Sequence, residues 1–402
     1  MPEARDPHAR SGGPAEQLRR SNLSNILALV HREGPLSRAD LTRLTGLNRS
    51  TIGDRVAELA ELGLAFEAMP TGPGIPGRPS PIVHASADIV AIAVNPEVDA
   101  ITVGLVALGG RLVAKVRLET SRTPSTEDVV STSAAAIAGL LGGRERPVRV
   151  AGIGVAVPGQ VRLSDGAVRE ATHLGWNDEP LSAMLAAATG FPTLAANAAN
   201  LGMRAESVFG AGKGIDDFVY FIGGASGIGG GAVTGGVQLS GAAGYAGELG
   251  HSFVKSHGTR CSCGANGCLE AEVTQAALLE AVGLLPAEYD QLATRLARST
   301  DPAVKALVAD QLDMLGVAVR TSVNLFNPTR VVLGGFLAAL YEARPTGAAD
   351  LFADAISSAR ESIEIELAAL GAEQLMIGAG ELVFAEVIAD PLAYGSESVH
   401  AG

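Results

Sequence analysis

Apolar residues Leu23, Ile26, Leu27 and Val30 recur at intervals of three and four, which marks one buried helical face and predicts a helix over residues 17–32, ending near Gly34-Pro35. Ser37, with Asp40 three residues on, forms a capping-box-like start for a short helix over 38–45, and Gly46 supplies the turn. Asn48 caps a third helix running through Val56, Leu59 and Leu62, with Gly63 as its stop. Two short runs, Leu64-Ala-Phe66-Glu67 and Ser80-Pro-Ile82-Val83, then read as strands. Between them lies a loop holding Pro70, Gly72, Pro73, Gly74, Pro76, Gly77, Arg78 and Pro79. Beyond residue 85 the pattern changes to strand-like stretches, as at 89–94, 101–107, 149–155 and 218–222, separated by Ala/Leu-rich helices. That alternation defines an α/β protein. It divides into halves of about 85–200 and 201–390, with glycine-rich turns after several strands that point to a ligand cleft between them. Residues 1–15 are expected to be disordered, 16–84 to form the N-terminal domain and 391–402 a tail.

Composition changes this picture in two places. The 47% hydrophobic content is ample for sizeable cores, yet no run approaches the ~20 uncharged apolar residues that cross a bilayer. Met1 to Pro14 also lacks the apolar segment of a secretory signal, so a cytoplasmic protein without membrane contact is expected. A net charge of −13 argues at first against nucleic acid. Residues 1–80, however, hold ten arginines against nine acidic residues, so the acidity belongs to the rest of the chain. A local positive face suffices to bind phosphate. Helix, turn, third helix and wing make a winged helix-turn-helix, in which the start of the third helix enters the major groove. That geometry nominates Arg49, Ser50, Thr51, Asp54 and Arg55 as facing double-stranded DNA, and Arg78 at the Gly-Arg-Pro tip as a minor-groove contact. A three-helix dimerisation unit followed by a Pro/Gly-rich linker is the alternative.

The three cysteines of the chain, Cys261, Cys263 and Cys268, lie within eighteen residues of sequence that begin at His251. Three thiolates and an imidazole complete a tetrahedral zinc ion and leave no position for a catalytic water, so a structural Zn²⁺ is expected. Reduced thiols again imply the cytoplasm.

The run Ala246-Gly-Glu248-Leu-Gly-His251, followed by Cys-x-Cys-Gly-x-x-Gly-Cys-x-Glu, resembles the signature of the ROK family of repressors and sugar kinases. The resemblance extends back through Gly154-Val-Ala-Val-Pro158-Gly159, Gly175-Trp176-Asn177 and Gly227-Ile-Gly-Gly-Gly231, and forward through Asn327-Pro328 and Val331-Val-Leu-Gly334-Gly335. Ser37-Arg38-Ala-Asp-Leu, Thr45-Gly46-Leu47 and Gly77-Arg78-Pro79 resemble the winged extension of the family's regulators. The resemblance implies a two-lobed actin-like ATPase (ribonuclease H-like) fold preceded by an all-α winged helix-turn-helix domain. It also implies sugar contacts at Asn197, Glu248, His251 and Glu270, residue types that exchange directional hydrogen bonds with hydroxyls.

Two departures from the kinase pattern are visible. Ala198 stands where the family places the Asp that accepts the hydroxyl proton, and no neighbouring carboxylate is an obvious substitute. Where the kinases carry Asp-x-Gly-Gly-Thr this chain has Asn95-Pro96-Glu97, with no glycine, a proline lacking N–H and a carboxylate that repels phosphate. The expectation is a transcriptional regulator, a repressor of carbohydrate genes, that is no enzyme and senses a sugar or sugar derivative as a homodimer or homotetramer. An atypical sugar kinase and a ligand-independent DNA-binding protein are the alternatives.

Overall fold

The computed structural model describes residues 13–69, 80–144, 146–162, 164–345 and 350–397. They fall into two compact units. One takes in the described residues up to Ile89, Ala107–Gly109 and the described residues from Phe384; the other comprises Val90–Val106 and Gly110–Val383.

In the first unit, helix α1 spans Pro14–Glu33, α2 spans Arg38–Thr45 and α3 spans Arg49–Glu61. Helix α1 starts earlier than its apolar pattern indicates and takes in Pro14 and Ala15, expected to be disordered. Proline needs no donor in a first turn, and the Gly13 carbonyl accepts from Glu16 N and Gln17 N at 2.9 and 3.1 Å. Ser37 Oγ caps α2 by accepting from Asp40 N at 3.1 Å, and Asn48 Oδ1 caps α3 by accepting from Thr51 N at 2.9 Å. Between the two helices Gly46 adopts φ 70°, a left-handed turn that favours glycine. Leu23, Ile26, Leu27, Leu41, Ile52, Val56 and Leu59 form the core of the three helices.

This domain is not all-α. Strands Ala65–Ala68 and Ile82–Ala85 pair antiparallel, Ala65 opposite Ala85, and Leu36–Ser37 adds a third strand on the far edge. The strands begin one or two residues later than the sequence implies. Leu64 is used to close α3, its N–H bonded to Leu59 O, and Pro81 cannot donate to a ladder. The loop tip with Arg78 lies outside the described residues. Residues expected to form a tail instead include a helix, Pro391–Glu397, that lies against α1. There Gly395 meets Leu62 so closely that a Cβ would clash, and Asp390 pairs with Arg20 at 2.9 Å.

The second unit holds two five-stranded sheets. The first runs in the order Thr193–Asn197, Arg149–Val157, Ile89–Pro96, Ala100–Ala107 and Arg111–Glu119. The second runs Val237–Gln238, Gly227–Thr234, Phe218–Gly224, Arg330–Gly335 and Glu364–Leu367. Each sheet carries its own apolar core. Ile92, Val94, Ile101, Val103, Val155 and Trp176 belong to the first. Val219, Phe221, Val331 and Leu333 belong to the second, covered by helix Pro302–Phe326 through Val308, Leu315 and Val319. Helix Ala198–Phe209 connects the two sheets in sequence.

Candidate functional site

A cleft opens within the second unit and is lined from both sheets. Asn197 ends the strand Thr193–Asn197 and caps the helix that follows: its Oδ1 accepts from Asn200 N and its Nδ2 donates to Gly159 O, both at 3.0 Å. Those bonds fix the amide and leave one N–H and one lone pair for a ligand. Ala198 and Ala199 follow on the cleft wall.

Glu248 precedes the short turn Leu249–His251 and lines the cleft, as do His251 and Glu270. Burial pushes Glu248 above the usual carboxylate range, with His251 and Gln160 opposing and Glu270 adding to the shift. Glu270 reaches in past Gly227, where φ is 109° and a Cβ would lie 2.6 Å from Glu270 Oε2, so only glycine serves. Burial works against charge on Glu270, but hydrogen bonds from His173 and Cys261, with the nearby imidazoles, outweigh it and hold the carboxyl below the usual range. His173 Nε2 lies 3.4 Å from Glu270 Oε1, and that contact raises the imidazole pKa.

Behind this wall, the ligand atoms of His251, Cys261, Cys263 and Cys268 lie within 4.8 Å of one another. Cys263 Sγ and Cys268 Sγ are 3.7 Å apart, and Cys261 Sγ and His251 Nδ1 are 3.6 Å apart. A tetrahedral zinc with ordinary bond lengths requires about 3.8 Å between sulfurs and about 3.5 Å from sulfur to nitrogen. The cluster could hold a metal ion. Burial raises the thiols of Cys261 and Cys268, the latter to about 12, so a cation is the agent that would draw their protons off at neutral pH.

The cleft also contains residues that the sequence did not assign to it: Asn95, Glu97, His173 and Ser226. Asn95 and Glu97 drew notice only as departures from a phosphate motif, and His173 only as the neighbour of a quoted Gly-Trp-Asn run. A carboxylate besides Glu248 and Glu270 does share the cleft with Ala198, contrary to the reading of the local sequence. Burial, with Asp99 adding and Arg117 opposing, raises Glu97 to about 7. Ser226 Oγ accepts from Val98 N at 3.2 Å, tying the turn after Glu97 to the turn of the second sheet.

In the first unit, the start of α3 brings Arg49, Ser50 and Asp54 to the exposed surface, with Thr51 half-buried among them. Arg55 departs from this group. It is partly buried and pairs with Glu58 at 3.1 Å, and Glu58 in turn pairs with Arg19 of α1. Glu58 therefore ties α3 to α1 with Arg55 beside it on the same helix, and Arg49, in the exposed first turn, has no ion-pair partner among the described residues.

Two lobes, each built on a five-stranded sheet, with a cleft on their inner walls that carries Asn197, Glu248 and Glu270, define a protein of the two-lobed actin-like ATPase fold that also carries a winged helix-turn-helix. The chain belongs to the ROK family, whose sequence profile matches residues 91–386. It is 26% identical over 319 residues to the xylose repressor of Bacillus subtilis, across 79% of this chain and 82% of that protein. It is 34% identical over 251 residues to the glucokinase of Thermotoga maritima, across 58% of this chain and 78% of that protein. Among solved structures, a ROK family transcriptional regulator homologous to the Escherichia coli Mlc protein superposes with a TM-score of 0.73. At 23% identity, covering 94% of this chain and 99% of that one, it supports the fold.

Proposed function

We propose that the chain is a DNA-binding transcriptional repressor of carbohydrate genes, acting in the cytoplasm, in which the cleft receives a small polyhydroxylated effector. The observation that carries this reading is the pairing of a capped, surface-exposed recognition helix with a sugar-type cleft whose proton acceptor is replaced by Ala198. Asn197, Glu248, His251 and Glu270 serve the effector's hydroxyls. Arg49, Ser50, Thr51 and Asp54 face the major groove, and Arg78 on the wing reaches the minor groove. His251, Cys261, Cys263 and Cys268 hold a structural zinc ion, which stiffens the wall carrying Glu248 and Glu270. When the three thiols are deprotonated by the metal, His173 and Ser262 remain as donors to Glu270, at 3.4 and 3.1 Å.

Control requires two states with different affinities for effector and for DNA, since a ligand shifts an equilibrium only by its differential binding. A homodimer, or a tetramer built from dimers, presents two recognition helices to a palindrome with half-sites about 34–36 Å apart, or multiples of that. The test is selection from a randomised duplex library with the purified full chain. An enriched inverted repeat with that spacing, released by a sugar, supports the reading; recovery of no common sequence ends it.

A second reading rests on Glu97. A carboxyl raised to about 7 inside a cleft is poised as a general base, the feature of an atypical sugar kinase. Sugar-dependent release of ADP from ATP, abolished in Glu97→Gln, would establish it.

A further inference from the structure

The end of strand Ile89–Pro96 delivers to the cleft two acceptors that the protein itself does not use. Asn95 is 5% exposed, and its Oδ1 meets no donor among the described residues. Glu97 is half-buried on the cleft wall, and its carboxylate accepts no hydrogen bond among the described residues. A buried acceptor left unpaired is costly, so a fold that keeps one beside a carboxylate on the same cleft wall has a use for donors there.

Charge decides which donors. Glu97, Glu248 and Glu270 all line the cleft, and among the described residues that line it there is neither lysine nor arginine. The two imidazoles present, His173 and His251, both lie against Glu270. A phosphate or carboxylate group would enter a field of its own sign with no lysine or arginine among the described lining residues to answer it. An ammonium group brings a positive charge and three N–H donors to a wall that carries an unpaired amide oxygen and a carboxylate.

Building on the reading of the cleft as an effector site, we propose that Asn95 and Glu97 form an ammonium subsite. The effector is then a polyhydroxylated primary amine, an amino sugar with its amine free, and neither a phosphosugar nor a nucleotide. The hydroxyls fall to Asn197, Glu248 and Glu270. The raised pKa of Glu97 agrees with this arrangement, because burial and the nearby Asp99 outweigh the opposing charge of Arg117 and disfavour its ionised form, which a bound ammonium would restore.

The test is calorimetric titration of the full, zinc-replete chain at pH 7.5 with matched probes. These are D-glucose, D-galactose and D-mannose, their 2-amino-2-deoxy forms, the N-acetylated amines and the 6-phosphates, with magnesium chloride as the inorganic cation. In one stereochemical series the amine should bind at least about tenfold tighter than its parent sugar. Acetylation should cancel the gain and the 6-phosphate should fail to bind. In Glu97→Gln, checked for native circular dichroism, the ratio of amine to parent should fall to within about twofold. The wild-type comparison of amine with N-acetyl amine stands even if the variant misfolds.

The proposal is overturned if no amine exceeds its parent, if a 6-phosphate binds as tightly as the amine, or if magnesium alone displaces the amine. Should no sugar of any kind bind while the chain still selects a DNA sequence, the effector reading of the cleft fails and takes the subsite with it. Should DNA selection fail while the amine preference stands, the regulator reading falls and the subsite remains.

Discussion

Replacing Glu206 by alanine is expected to unlock the helix that forms one wall of the cleft. Glu206 is fully buried near the end of Ala198–Phe209, and its carboxylate accepts three backbone N–H groups. Oε2 accepts from Ala211 N at 2.7 Å and from Ala369 N at 3.0 Å, and Oε1 accepts from Leu370 N at 2.9 Å. The bond to Ala211 lies in the interior, where a donor to a charged group is worth about 1.5–3 kcal/mol. The other two are only partly buried, so water can replace them and each loses about 0.5–1 kcal/mol. Glu206→Ala should therefore cost about 2.5–5 kcal/mol, a large share of a typical domain stability of about 5–15 kcal/mol. Glu206→Gln should cost about half as much, because one amide oxygen can serve two of the donors while its NH₂ opposes the third. The single tryptophan, Trp176, is buried in the same unit and reports its unfolding in urea by fluorescence. A loss below about 1 kcal/mol in Glu206→Ala would refute the reasoning, since it would mean that the three donors had found equivalent partners without the carboxylate.

Removing the cap of the recognition helix in Asn48→Ala should destabilise the N-terminal domain by about 1 kcal/mol in thermal melts of the full chain. Arg49→Ala should weaken binding to the selected duplex and lower the salt slope of log K by about 1, as measured by fluorescence anisotropy. Cys263→Ser should lower both bound zinc, read by metal analysis, and melting temperature; unchanged values of both would remove the metal assignment. Glu97 gives the pH dependence. Its carboxyl is raised from 4.5 to about 7 on folding, so its stabilising neutral form is fully present below about 4.5 and lost as pH rises through about 7. Relative to Glu97→Gln, the wild type should lose about 3 kcal/mol across that window, and parallel stability curves for the two proteins would show that Glu97 does not titrate there.

Features fixed by local chemistry were legible in the sequence. Ser37, Gly46 and Asn48 mark the turns of the helix-turn-helix because each cap bond closes over three or four residues, and the structure places those caps as expected. The cysteine cluster was legible for the same reason, three ligands lying within eight residues. Pro391–Glu397 was not, since so short a helix shows no period of its own and is held by Gly395 against Leu62 and by Asp390 to Arg20, partners more than three hundred residues away in sequence. The ion pairs around Arg55 were not legible, because nothing in the spacing of α3 reveals that Glu58 and Arg19 will meet on that face. The cleft shows the limit of spacing most clearly. Read along the chain, Asn95-Pro96-Glu97 registers only as the loss of a phosphate loop, because a carboxylate there repels phosphate. Once the second sheet brings Ser226 against Val98, and Glu97 faces a cleft with neither lysine nor arginine among the described residues that line it, the same charge acquires a positive meaning. A buried carboxylate that excludes one class of ligand by repulsion must, by the same Coulomb term, favour the class of opposite charge.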